Sequence, residues 1–76
     1  MAEPFWNRHR GPYVLLVGRP HPKKAGFSRC EWLPGSVDGP DVPDEAKALL
    51  DDPRDTIDLV SVFSESEQQF VGGYRK

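Results

Sequence analysis

Residues 19–29, Arg19-Pro20-His21-Pro22-Lys23-Lys24-Ala25-Gly26-Phe27-Ser28-Arg29, put four fixed positive charges, one titratable imidazole and one aromatic ring within eleven positions. Lys and Arg neutralise phosphates while a ring stacks on an unpaired base, the combination that holds single-stranded nucleic acid without reading its sequence. Arg19, His21, Lys23, Lys24, Phe27 and Arg29 are therefore the candidate binding residues, and Trp6, Arg8, His9 and Arg10 can extend the patch. Against this stands the simpler reading of a solvated Pro- and Lys-rich loop with Phe27 in the core. Twelve acids against ten bases, with no recognised nucleic-acid-binding motif, favour the simpler reading.

The remaining chemistry-bearing residues are sparse. His9, His21 and Cys30 lack the close ligand spacing of structural zinc sites, and two prolines flank His21. The acids at 38, 41 and 44, followed by Asp51, Asp52, Asp55 and Asp58, fail the calcium-loop pattern of alternate acids, an interior glycine and a terminal Glu. Capping and solvation account for them, and a carboxylate-rich face also suits a basic partner. Cys30 lacks an evident activating base, and a small buried thiol is its ordinary outcome. Glycine-rich phosphate loops are missing. No catalytic residue, metal site or cofactor is assigned, and the expectation is a protein that is not an enzyme.

Charge is unevenly divided. Residues 1–30 carry six Lys/Arg against one Glu, net +5, and residues 31–76 carry four against eleven carboxylates, net −7. Opposite potentials on one small domain bear on association rather than on fold. Seventy-six residues make one domain, of a size that leaves a thin stability margin. The single cysteine excludes an internal disulfide, so self-association is the expected supplement. The longest apolar run, Tyr13 to Val17, is too short to span a membrane, and no secretory signal pattern opens the chain. A cytoplasmic location follows as the default.

The elements that must position these residues read as follows. Tyr13-Val14-Leu15-Leu16-Val17 predicts a central strand buried on both faces. Residues 27–33 predict a second strand with Ser28, Cys30 and Trp32 on one face, ended by the turn-rich stretch 34–40. Asp41 as a capping carboxylate, Pro43, and acids in the first turn predict a helix to about Asp52, burying Val42, Ala46, Leu49 and Leu50. Residues 56–64 predict a strand with Ile57, Leu59 and Phe63 on one face and Asp58, Val60, Val62 and Ser64 on the other. Residues 68–75 return as the last strand, where Gly72-Gly73 marks a bulge or a close backbone approach.

The order ββαββ predicts an α+β fold: two hairpins in one four-stranded antiparallel sheet with a single short helix on one face. The uncovered face would show Val60 and Val62, or their counterparts, with aromatic residues. Residues 1–11 form an N-terminal arm whose Phe5-Trp6 pair docks over that open face or on another subunit. The leading functional expectation is a small protein-interaction module that presents Trp6, Val60 and Val62 and binds a second copy of itself or a larger protein. A weak single-stranded nucleic-acid binder is the alternative.

Overall fold

Strand β1 (Tyr13–Pro20) pairs with β2 (Ser28–Trp32) on one side and with β3 (Leu59–Ser64) on the other, and β3 pairs with β4 (Gln69–Arg75), all antiparallel. The strand order β2-β1-β3-β4 thus joins two hairpins through a central β1–β3 pair, with one short helix, α1 (Val42–Asp51), in the crossover between them. The computed structural model describes residues 3–24, 26 and 28–76. No helix among them is long and apolar enough to cross a membrane.

Alternation along the strands sorts the two faces. Tyr13, Leu15 and Val17 from β1 and Val60, Val62 and Ser64 from β3 lie opposite one another in the ladder and are buried beneath α1. The helix answers with Val42, Ala46 and Leu50 at spacings of three and four, completing one core with Ile57. Fully burying a side chain of this size contributes about 1.5–3 kcal/mol, so these few residues dominate the stability of so short a chain.

Several expectations are corrected. Val60 and Val62 have 0% exposure under the helix. The open face belongs to their neighbours Leu59, Ser61 and Phe63. β1 is buried on one face only; Val14 and Leu16 on the other are half-buried. Ile57 does not share a face with Leu59 and Phe63: β3 begins only at Leu59, and Ile57, still in the irregular approach to it, turns into the core at 2% exposure. Asp41 makes no side-chain cap, because a 3₁₀ turn (Gly39–Asp41) runs directly into α1 and leaves Asp41 itself helical, φ −87° and ψ −16°, where a capping residue is extended.

The helix stops at Asp51, since Asp52 precedes a proline and is forced to an extended conformation, φ −67° and ψ 114°. Its carboxylate accepts the Arg54 N–H at 2.9 Å and Nε–H at 3.3 Å, which gives an acid at this end of the helix a local purpose and lowers its pKa. At the other hairpin a register shift at Val62/Phe63 bulges β4 beside Gly72.

The N-terminal arm docks on its own protomer, at the end of the sheet and on the helix side. Phe5 packs edge-on against both Trp6 and Tyr13, with ring centroids 5.1 Å apart in each pair. Trp6 lies against Gly39, where a Cβ would collide with the Trp6 Cβ. The β3–β4 turn clamps the arm: Ser64 Oγ–H and Ser66 Oγ–H donate to the Arg10 carbonyl, and the Arg10 N–H donates to Glu67 at 2.9 Å.

Candidate functional site

The face of the sheet away from α1 carries three aromatic rings. Trp32 comes from β2, opposite Leu16; Phe63 comes from β3, opposite Val14; and Phe70 comes from β4, opposite Phe63. The three side chains lean over the middle strands until they touch. Trp32 and Phe70 stack with centroids 5.9 Å apart and planes 16° from parallel, while Phe63 meets them edge-on at 5.6 and 5.1 Å. Edge-to-face and offset contacts at these separations are the favourable arrangements for aromatic quadrupoles.

On this face Val14, Leu16 and Phe63 are half-buried, whereas Trp32 and Phe70 stand out in water. Trp32 is 51% and Phe70 53% exposed, and they are the large hydrophobic residues most exposed among those described. Cys30, on the same face of β2, is exposed rather than buried as expected, because β2 is an edge strand whose five residues are all exposed.

The charged residues behave differently from the sequence expectation. Arg19 makes a two-pronged pair with Asp55, Nε to Oδ1 at 2.8 Å and the second guanidinium prong to Oδ2 at 2.9 Å, and also reaches Glu31 at 3.2 Å. These contacts raise the Arg19 pKa, Asp55 foremost, and hold the Asp55 carboxyl down at about 2, helped by the Thr56 N–H. His9 Nδ1 sits 3.2 Å from Glu67, whose pKa is lowered chiefly by the Arg10 N–H. The basic first third and the acidic remainder therefore meet through Arg19 with Asp55 and Glu31 and through the His9–Glu67 contact, and are not held wholly apart.

The residues of the basic segment scatter. Arg19 is spent on two carboxylates, and His21 uses Nδ1 to accept the Lys23 N–H at 3.1 Å. Lys23, Lys24 and Arg29 are exposed, and Phe27 lies outside the described residues. A cleft of about 410 Å³ lined by Arg19, Arg29, Cys30 and Glu31 joins one end of this segment to β2. Among the described residues no group of three or more His, Cys, Asp or Glu side chains is placed to hold a metal ion.

No family model matches the chain, and neither the curated proteins nor the solved structures give a match. Function rests on the geometry alone.

Of the expected interaction residues, Trp6 is half-buried in the arm and Val60 and Val62 are interior. The open face presents Trp32, Phe63 and Phe70 instead. Phe63 could be found from the alternation of its strand. The meeting of Trp32 with Phe70 could not, since they stand on opposite edges of the sheet and touch only because both rings lean over the middle strands.

Proposed function

We propose that the chain is a small non-enzymatic interaction module that engages a protein partner through the open sheet face, with Trp32 and Phe70 as the anchors. The observation that carries this reading is the half-exposure of both rings in one preformed cluster with Phe63. Rigid exposed aromatics lose little conformational entropy on binding and supply much of the contact energy at protein interfaces. The occupant this surface suits is a partner with an apolar patch, because the face offers rings, aliphatic side chains and few charges. Trp6, Val60 and Val62 support the face from within by fixing the arm and the core beneath it.

The nucleic-acid reading has weaker support. Stacking rings are present, but Arg19 of β1, the first cation of the basic segment, is paired with Asp55 and Glu31.

Affinity capture from the native host with the wild-type chain, Phe70→Ser and an exposed-helix control, Lys47→Ser, tests the proposal. A protein retained by the wild type and by the control but lost with Phe70→Ser, and rebound after purification, supports it. Equal capture by all three baits overturns it. So does salt-sensitive binding of single-stranded oligonucleotides in fluorescence anisotropy that is indifferent to Phe70→Ser and lost on replacing Lys23 and Lys24.

A further inference from the structure

The edge formed by β2 has a property that the aromatic face does not share. Its five residues are exposed, and the Leu33 N–H to Leu15 carbonyl bond at 2.9 Å sets the phase of the β1–β2 ladder. By alternation, Arg29 and Glu31 direct their backbone groups to β1, whereas Ser28, Cys30 and Trp32 direct theirs outward. The outer edge thus offers three N–H and C=O sets, evenly spaced and centred on Cys30. The opposite edge, β4, is broken by its bulge and by Gly72 and Gly73, a device that discourages strand addition.

The side chains flanking Cys30 have opposite charge. Arg29 on β2 stands opposite Arg19 on β1, and Arg19 engages both Asp55 and Glu31; no ion pair is made by Arg29 among the described residues.

We infer that β2 pairs antiparallel with β2 of a second copy about a two-fold axis through Cys30, forming a continuous eight-stranded sheet. This reading uses a different surface from the aromatic face and stands independently of it. In that register Cys30 faces Cys30 of the partner, Ser28 faces Trp32, and Arg29 faces Glu31 twice over, with about six new backbone hydrogen bonds. A shift by two residues in either direction sets Arg29 against Arg29 or Glu31 against Glu31, and like charges directly opposite are destabilising. A shift by one turns the outward backbone groups out of phase and flips the faces. Charge therefore selects one register, and each Arg29 gains the carboxylate it lacks within its own protomer.

Sedimentation over a concentration series at low salt tests the inference. The wild type should approach twice the protomer mass as concentration rises, with the Cys30 and Trp32 amides exchanging more slowly at high concentration. Arg29→Glu and Glu31→Arg should each weaken the dimer at least about tenfold, because both symmetric contacts become repulsive. An equimolar mixture of these two variants should dimerise again, as should the chain carrying both substitutions. A short bis-maleimide should link Cys30 between protomers, while Cys30→Ser leaves dimerisation unchanged. Circular dichroism verifies that the variants fold. A wild type monomeric at all concentrations overturns the inference. So does a dimer indifferent to both charge reversals but abolished by Phe70→Ser, a result that would instead assign self-association to the aromatic face.

Discussion

Arg19 and Asp55 meet as fork to carboxylate across thirty-six positions of sequence, with the two bonds at 2.8 and 2.9 Å. The pair fastens the irregular segment after α1 to the far end of β1, just before Ile57 enters the core. Two parallel charge-assisted bonds fix orientation as well as distance, so this contact sets where the second hairpin starts.

Acid should release it. The Asp55 carboxyl sits at about 2 in the folded chain against an ordinary 3.8, so the pairing favours the folded state above the ordinary value and is lost as pH falls towards 2. The urea midpoint of the wild type is expected to fall steadily between about pH 4.5 and pH 2. Asp55→Asn should start from a lower midpoint at neutral pH and fall less steeply. Glu67, also depressed, keeps part of the slope in that variant.

Ile57 and Leu59 should separate sharply. Ile57 is 2% exposed in the core, whereas Leu59 lies half-buried on the open face. Ile57→Ala is expected to cost about 2–5 kcal/mol, the range for truncating a core aliphatic residue. Leu59→Ala should cost less than half as much. Equal losses in denaturant melts would contradict the assignment of the two faces.

Gly39→Ala should dislodge the N-terminal arm. The added methyl meets the Trp6 Cβ, and the stem of a side chain cannot swing aside as its tip can. A loss of about 1–3 kcal/mol is expected, typical of overpacking. Trp6 emission should shift to the red, which Trp6→Phe in the same background would identify by abolishing the shift.

Tyr13→Phe should be neutral or stabilising by about 1 kcal/mol. The Tyr13 ring is buried at 1% exposure and its hydroxyl finds no hydrogen-bond partner among the described residues. Burial, and secondarily Glu67, raises its pKa. Removing an unsatisfied buried donor recovers its desolvation cost while the ring keeps its packing. Thermal melts of the two chains decide this directly.

Much of the architecture was legible in the residues. The apolar run at 13–17, the spacing of Val42, Ala46 and Leu50, and the glycine- and proline-rich breaks each declare an element through local physics, and their order implies the sheet and its single helix. The errors fall where a local pattern met a longer-range constraint. Ile57 fits the alternation of a strand that starts two residues later, and Asp41 has the type of a capping residue but lies within a helical turn that had already begun upstream.

The candidate site was less legible. The basic segment drew attention by composition, yet its Arg19 is committed to carboxylates 12 and 36 positions away, partners that no local pattern announces. Side-chain type and periodicity along the chain determined which segments fold as strands or helix and that one sheet face would lack cover. Which face that is, which rings gather on it, and which charges are already satisfied were decided only by the tertiary structure. Those outcomes depend on the β2-β1-β3-β4 order and on register, in which a single-residue slip exchanges the interior and exterior of every strand.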